Sequence, residues 1–364
     1  MRRVSVCLIL LAFLGCDRRP AAPPPAKPAP APGVEITRVT PLPPDRPTHL
    51  APTGTGQIFW VQEADGARET VFSISEGGLP TATHLSNAGI LEALGKPAGR
   101  GSIQSLVVGA DGNLYFYFAG RNAKDFIAAF GSFAPSTSKL QILQDTTALA
   151  QVSRMGTSLA LARGSIVRSD SLLWLWLRHD QGYALLSMDL TRPRSTLRQT
   201  FEQIRTPEGV LALTSPTEDL STGSGKSLLF LDRQEQQLWR ISVLGEAAPI
   251  ARLADLPGNI TASSFDDQGR PILLAPEPPP PSRNDDLERS NELLNPSTAP
   301  AIAYPALVIF DGDQRTLLDR NSFTVPLNFS VRALAPTRLE RDRSGWLAYD
   351  PRTGELLRLR IIER

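Results

Sequence analysis

Ala110-Asp111-Gly112-Asn113-Leu114-Tyr115-Phe116-Tyr117-Phe118 holds a tight turn followed by an unbroken aromatic run. Gly tolerates positive φ and Asp bonds the backbone ahead of it, so Asp-Gly-Asn reverses the chain. An apolar run, Ile103-Gln104-Ser105-Leu106-Val107-Val108, leads in. The stretch therefore reads as a β-hairpin.

From Pro47 onward the same plan returns six times: a strand, a Gly or Asp turn, an apolar second strand, an alternating third strand and often a fourth. The turns fall at 54–56, 111–112, 169–170, 223–225, 267–269 and 343–345. The second strands are expected at 58–61, 114–118, 172–177, 228–231, 272–274 and 346–349. The third strands are expected at 70–74, 126–130, 183–188, 237–241, 306–310 and 356–361. With Gly56, Gly112, Asp170, Gly225, Gly269 and Gly345 as markers, the intervals are 56, 58, 55, 44 and 76 residues. A Pro-rich insert, 276–305, accounts for the excess in the last interval. Leu-Ala-Pro-Thr occurs at both 50–53 and 334–337, in first-strand positions.

A period near 50 residues with three or four strands each predicts an all-β protein, a six-bladed β-propeller spanning 34–364. Blades packed in a ring bury both faces of each sheet, which explains continuous apolar strands such as 172–177. A pair of two-sheet sandwiches is the alternative. The sixth unit ends after its third strand. Val34-Glu35-Ile36-Thr37-Arg38-Val39 is a clean alternation with no unit of its own, similar to the fourth strand expected at 139–144. It is expected to pair with 356–361 and to seal open sheet edges.

Asp111-Gly112-Asn113-Leu114-Tyr115, Asp267-Gln268-Gly269 and Arg343-Ser344-Gly345-Trp346-Leu347-Ala348 resemble the hairpin of six-bladed propellers of the NHL, gluconolactonase and TolB-like kind. The resemblance covers most of 34–364 and implies a fold rather than an activity. Lactonase-type relatives hold one divalent cation in the channel with Glu, Asn and Asp from different blades. No such set is evident, so no catalytic residue, metal ligand or cofactor is assigned.

The N-terminus has a different logic. Arg2 and Arg3 precede an 11-residue, largely apolar run, too short to span a bilayer as a helix. Phe13-Leu14-Gly15-Cys16 resembles a bacterial lipobox, with Phe13 where Leu is usual. The resemblance implies a signal peptide, 1–15, cleaved after Gly15, and lipidation (palmitate among the acyl chains) at Cys16. An ordinary secretory signal is the alternative. Residues 16–33 then form a Pro/Ala-rich tether, extended as polyproline II over roughly 45 Å. A proline-rich ligand is its alternative reading. Asp17 is similar to an inner-membrane retention signal, and which membrane holds the protein stays open. The expected location is the bacterial cell envelope, membrane-anchored, with the propeller outside the cytoplasm.

Composition closes other routes. The net charge of +1 offers nothing for nucleic acid. Cys7 and Cys16 are the only cysteines, so residues 17–364 carry no disulfide or thiol chemistry. There is no G-x-S-x-G, H-E-x-x-H or complete P-loop. Gly223-Ser224-Gly225-Lys226-Ser227 opens a strand and reads as a turn, as do Asp311-Gly312-Asp313 and His179-Asp180-Gln181-Gly182. The five tryptophans sit at blade-packing positions.

In a propeller the second-to-third strand loops and the inter-blade connectors share one face. The long segments here belong to that class. The connector 86–95 predicts a short helix capped by Ser86 and stopped at Gly95. Helical turns are expected within 284–294 of the insert, which also reads as a disordered loop. His49 in a first strand, Arg121 in the loop 120–125, and Asp285, Asp286, Glu288 and Arg289 are the candidate binding-face residues. Three functions stay open: a non-enzymatic binding or scaffold module, which the residues favour; a lactonase-like hydrolase with a channel metal; and a carbohydrate-binding propeller. The expected partners are the membrane, through Cys16, and an envelope protein or glycan.

Overall fold

The computed structural model describes residues 32–363 apart from 42–47, 54, 65–67, 76–77, 124, 170, 180–181, 193–194, 200–203, 208, 212–218, 223–225, 233–235, 253–261, 267, 278–301, 312–313, 319–321, 323–328, 331–339, 343–344 and 351–354. Turn chemistry cuts the chain into short strands, in the order expected. The first is β1 (Pro32–Pro41). Blade 1 follows as β2 (Thr48–Pro52), β3 (Ile58–Ala64), β4 (Arg68–Ile74) and β5 (Thr81–Ser86). Helix α1 (Asn87–Ala93) leads to blade 2, made of β6 (Arg100–Val108), β7 (Leu114–Arg121), β8 (Phe126–Ala134) and β9 (Lys139–Gln144). Helix α2 (Thr146–Ser153) and a 3-10 turn (Gly156–Leu161) lead to blade 3, with β10 (Arg163–Ser169), β11 (Leu172–His179), β12 (Gly182–Asp189) and β13 (Arg198–Gln199).

A hairpin of β14 (Ile204–Thr206) and β15 (Gly209–Leu211) precedes blade 4, which holds β16 (Asp219–Thr222), β17 (Leu228–Asp232), β18 (Gln237–Ile241) and β19 (Ala247–Arg252). Blade 5 is β20 (Ala262–Phe265), β21 (Pro271–Glu277), β22 (Ile302–Asp311) and β23 (Gln314–Leu318). After β24 (Phe329–Ser330), blade 6 has β25 (Glu340–Asp342), β26 (Gly345–Asp350) and β27 (Glu355–Glu363). Its fourth strand is β1: the sheet order is β1-β27-β26-β25, with Val34 opposite Ile361 and Ile36 opposite Leu359.

The six sheets form a six-bladed β-propeller. First strands of successive blades, β2, β6, β10, β16, β20 and β25, lie beside one another and wall the central channel. Among the described residues the core falls into six clusters, each shared by two neighbouring blades. Phe59, Val61, Phe116 and Phe118 join blades 1 and 2; Tyr117, Phe130, Leu175 and Leu177 join blades 2 and 3. Trp174, Trp176 and Phe230 join blades 3 and 4, and Leu229, Leu231 and Leu273 join blades 4 and 5. Val34, Ile272, Leu274 and Leu359 join blades 5 and 6, and Leu347, Leu356, Ile58 and Trp60 return from blade 6 to blade 1.

Strand alternation explains this partition. Odd and even residues of each second strand point to opposite neighbours, so both parities must be apolar. Each buried large side chain stabilises the ring by about 1.5–3 kcal/mol relative to exposure.

Strands occupy both ends of the segment 276–305. Prolines suggest a break there, because they lack the N–H donor. Pro276 and Pro305 stand opposite each other, so the loss falls on one pair, and Ala275–Ala306 and Glu277–Tyr304 hold the register on either side.

Candidate binding face

The up-and-down order of strands sends every second-to-third loop and every inter-blade connector to one face, and every first-to-second turn to the other. The two faces differ in build. On the plain face, short turns are closed by a side chain at their first position. Asp111 Oδ1 accepts from the Asn113 N–H (3.2 Å), and Asp266 Oδ1 accepts from the Gln268 and Arg270 N–H groups (2.9 and 2.8 Å). Thr53 Oγ1 accepts in the same way from the N–H groups of Thr55 and Gln57 (3.3 and 3.0 Å). Gly56, Gly112 and Gly269 each take positive φ, which a side chain would resist.

The other face, called upper here, carries the helices. Ser86 Oγ caps α1 by accepting from the Gly89 N–H (3.2 Å), and Gly95 ends the turn at φ +68°, as the connector predicts. Asp145 Oδ1 caps α2 by accepting from the Ala148 N–H (2.9 Å). β24 and the long β21–β22 hairpin belong to the same face by connectivity, whereas β14 packs at the plain-face end of β19, where the Arg205 N–H donates to the Gly245 carbonyl (2.7 Å). β24 pairs with the outer end of β22, Ile302 opposite Ser330.

Two expected residues fall on the upper half of this framework. His49 lies on the channel-lining β2, half-buried, at φ +54°. The register there gains one residue between Thr48 and Ala51, so His49 sits in a β-bulge. Left-handed backbone costs a non-glycine residue of the order of 1 kcal/mol. Arg121 is the last residue of β7, exposed, and stands directly opposite Arg100 at the head of β6. Asp285, Asp286, Glu288 and Arg289 lie outside the described residues, as do Cys16 and Leu334-Ala335-Pro336-Thr337.

The structure adds residues that spacing did not single out. At the head of β10, Arg163 stands opposite Arg178 of β11, the relation that Arg100 bears to Arg121 one blade earlier. The signal was present in the chain: Arg-Gly-Ser-Ile occurs at both 100–103 and 163–166. The inner strands of these two blades are tied together. The Ile166 N–H donates to Ser105 Oγ (2.9 Å), and Arg168 Nη1 donates to the Val108 carbonyl (2.9 Å). On the other flank of blade 2, Glu69 Oε2 accepts from the Ile103 N–H and from Asn87 Nδ2, both at 3.0 Å.

Among the described residues, no group of three or more His, Cys, Asp or Glu side chains is placed to hold a metal ion. No helix among them is long and apolar enough to cross a membrane. Asp311 makes an ion pair with Arg270 (3.7 Å).

Solved structures share this architecture. Regucalcin from Agrobacterium tumefaciens, a calcium-binding protein, is 11% identical, with 90% of this chain and 95% of that one covered and a TM-score of 0.50. A putative TolB from the same organism is 13% identical, over 91% and 98% of the two chains, with a TM-score of 0.44. A gluconolactonase from Xanthomonas campestris is 12% identical, over 62% and 68%, with a TM-score of 0.40. At these identities the likeness concerns the fold alone. No protein-family model and no curated protein sequence matches the chain.

Proposed function

We propose that the protein is a lipid-anchored propeller of a bacterial cell envelope whose upper face is a non-enzymatic binding surface. The observation that carries this reading is the position of β1. Pro32 stands opposite Glu363, so the chain enters the disc at the plain-face end of blade 6. A tether running from a lipidated Cys16 to Pro32 would attach there. The helices and the β21–β22 extension would then face away from the bilayer. Several acyl chains, at about 0.8 kcal/mol per buried CH₂, anchor firmly.

Membrane fractionation of the full chain and of Cys16→Ser tests the anchor. The wild type is expected in the membrane fraction and Cys16→Ser in the soluble one; a Cys16→Ser protein that stays with the membrane overturns the lipid reading. Metal analysis of the purified soluble domain, with and without chelator, separates a binding module from a channel-metal hydrolase. The proposed role predicts no stoichiometric divalent ion.

A further inference from the structure

We infer that the plain face lies against the lipid bilayer, with Leu79 and Leu244 entering the boundary between headgroups and acyl chains. The inference rests on the proposed lipid anchor and adds how the anchored disc sits. Among the described residues the exposed large hydrophobic side chains are Leu79 (86%), Leu244 (73%), Leu161 and Leu317. Leu161 ends the connector into blade 3 on the upper face, and Leu317 lies on the rim strand β23. Leu79 and Leu244 belong to third-to-fourth strand turns, which connectivity places on the plain face.

Hydrogen bonds hold both turns in shape. In blade 4 the Gly245 N–H donates to the Ser242 carbonyl (3.0 Å) and the Ser242 N–H to the Glu246 carbonyl (2.9 Å). Ser242 Oγ accepts from the Leu244 and Glu246 N–H groups (3.2 and 3.3 Å), and Gly245 takes φ +78°. In blade 1 the Gly78 N–H donates to the Ser75 carbonyl (2.9 Å), and Thr81 Oγ1 donates to the Leu79 carbonyl (3.4 Å). Turn tips favour Gly, Pro, Asn, Asp and Ser. A lone exposed leucine needs no explanation. Here two such tips hold a leucine on the face where Pro32 brings the chain in.

Blades 1 and 4 stand across the ring from each other, and β1 completes blade 6. Leu79, Leu244 and Pro32 thus mark three separate points around one face, enough to seat a disc level on a flat surface. Among the described residues Arg205 and Glu246 are the charged groups exposed at the blade 4 turn, so it brings no net charge to the headgroups. Burial of two leucines is too weak to recruit a free protein to a membrane. A tether from Cys16 makes the contact intramolecular, and the high effective concentration lets a weak contact persist. The bilayer is the occupant that the tether itself brings to this face.

The experiment places one thiol-reactive fluorophore at Leu79→Cys, Leu244→Cys or Leu161→Cys of the full chain, processed in cells and reconstituted into vesicles of phosphatidylethanolamine and phosphatidylglycerol. Cys7 lies in the expected signal peptide and Cys16 is the expected acylation site, so the introduced cysteine is the one free thiol of the mature chain. Emission is read with and without a nitroxide on the lipid acyl chains. Labels at 79 and 244 are expected to lose roughly half or more of their emission to the nitroxide, and the label at 161 to keep nearly all of it. All three positions are exposed, so each variant should melt with the wild type. Protein that floats with the vesicles but shows no quenching at 79 and 244, or no more than at 161, overturns the inference and leaves the anchor intact. Protein that does not float with them overturns the anchor, and the inference with it.

Discussion

Tyr117 of blade 2 lies flat against Gly164 of blade 3: a Cβ built on Gly164 would stand 2.2 Å from the Tyr117 ring carbons Cδ1 and Cε1. This contact sets the approach of two blades beside the channel wall. Gly164→Ala should therefore force the blades apart and destabilise the protein by about 1–3 kcal/mol. Urea denaturation of the variant measures it, and an unchanged midpoint would mean that the interface is looser than described.

Tyr117 Oη is buried and has no hydrogen-bond partner among the described residues. Tyr117→Phe removes an unsatisfied group without making a cavity, so stability at pH 7 should stay level or rise by up to about 1 kcal/mol. Burial pushes the Tyr117 hydroxyl well above the ordinary tyrosine value of 10.0. The folded state thus favours the neutral phenol. That contribution is complete below the unfolded value and is lost as pH rises beyond it. Urea midpoints between pH 8 and 11 should fall more steeply for the wild type than for Tyr117→Phe. Parallel slopes would show that this hydroxyl does not govern the alkaline loss. Tyr115, also raised by burial and then by its bond to Asp111, leaves some slope in both proteins.

Blade 6 depends on a strand from the far end of the sequence. Val34 is fully buried among Leu307, Leu357 and Leu359. Deleting residues 33–40 should lower the melting temperature markedly, since it uncovers this cluster and opens the edge of β27. Val34→Ala alone should cost about 1–3 kcal/mol. A deletion that melts with the wild type would show that β1 adds nothing to the ring.

Two turns of the plain face should respond differently to the same substitution. Asp266 is 6% exposed and accepts from two backbone amides and, at 2.7 Å, from Arg270 Nε. Asp111 is exposed. Asp266→Ala leaves two part-buried backbone donors and the Arg270 guanidinium without their buried acceptor and should cost about 2–3 kcal/mol, whereas Asp111→Ala should cost under about 1 kcal/mol. Equal costs would mean that burial is not what separates the two turns.

Much of this architecture was legible because two signals coincide. Turn residues such as Asp111-Gly112 mark where the chain reverses, and runs such as 172–177 are apolar at both parities, which only a sheet buried on two sides requires. The Ser86 cap and Gly95 stop placed α1. Helix α2 was passed over because its eight residues are too short for a periodic pattern, although Asp145 offered a cap. The opposed arginines were invisible for a different reason. Whether Arg100 faces Arg121 depends on register, and the bulge that shifts β6 between Ile103 and Ser105 cannot be read from residue types. The bulge at His49 escaped in the same way.

The binding role of the upper face is tested most directly by site-specific photo-crosslinking in intact envelopes. A photoreactive residue replaces Ala123, exposed in the β7–β8 loop of the upper face, or Asp111 on the plain face of the anchored protein. The account predicts a discrete crosslinked species from position 123 and none from position 111. Crosslinking from 111 alone, or from neither position, would contradict it.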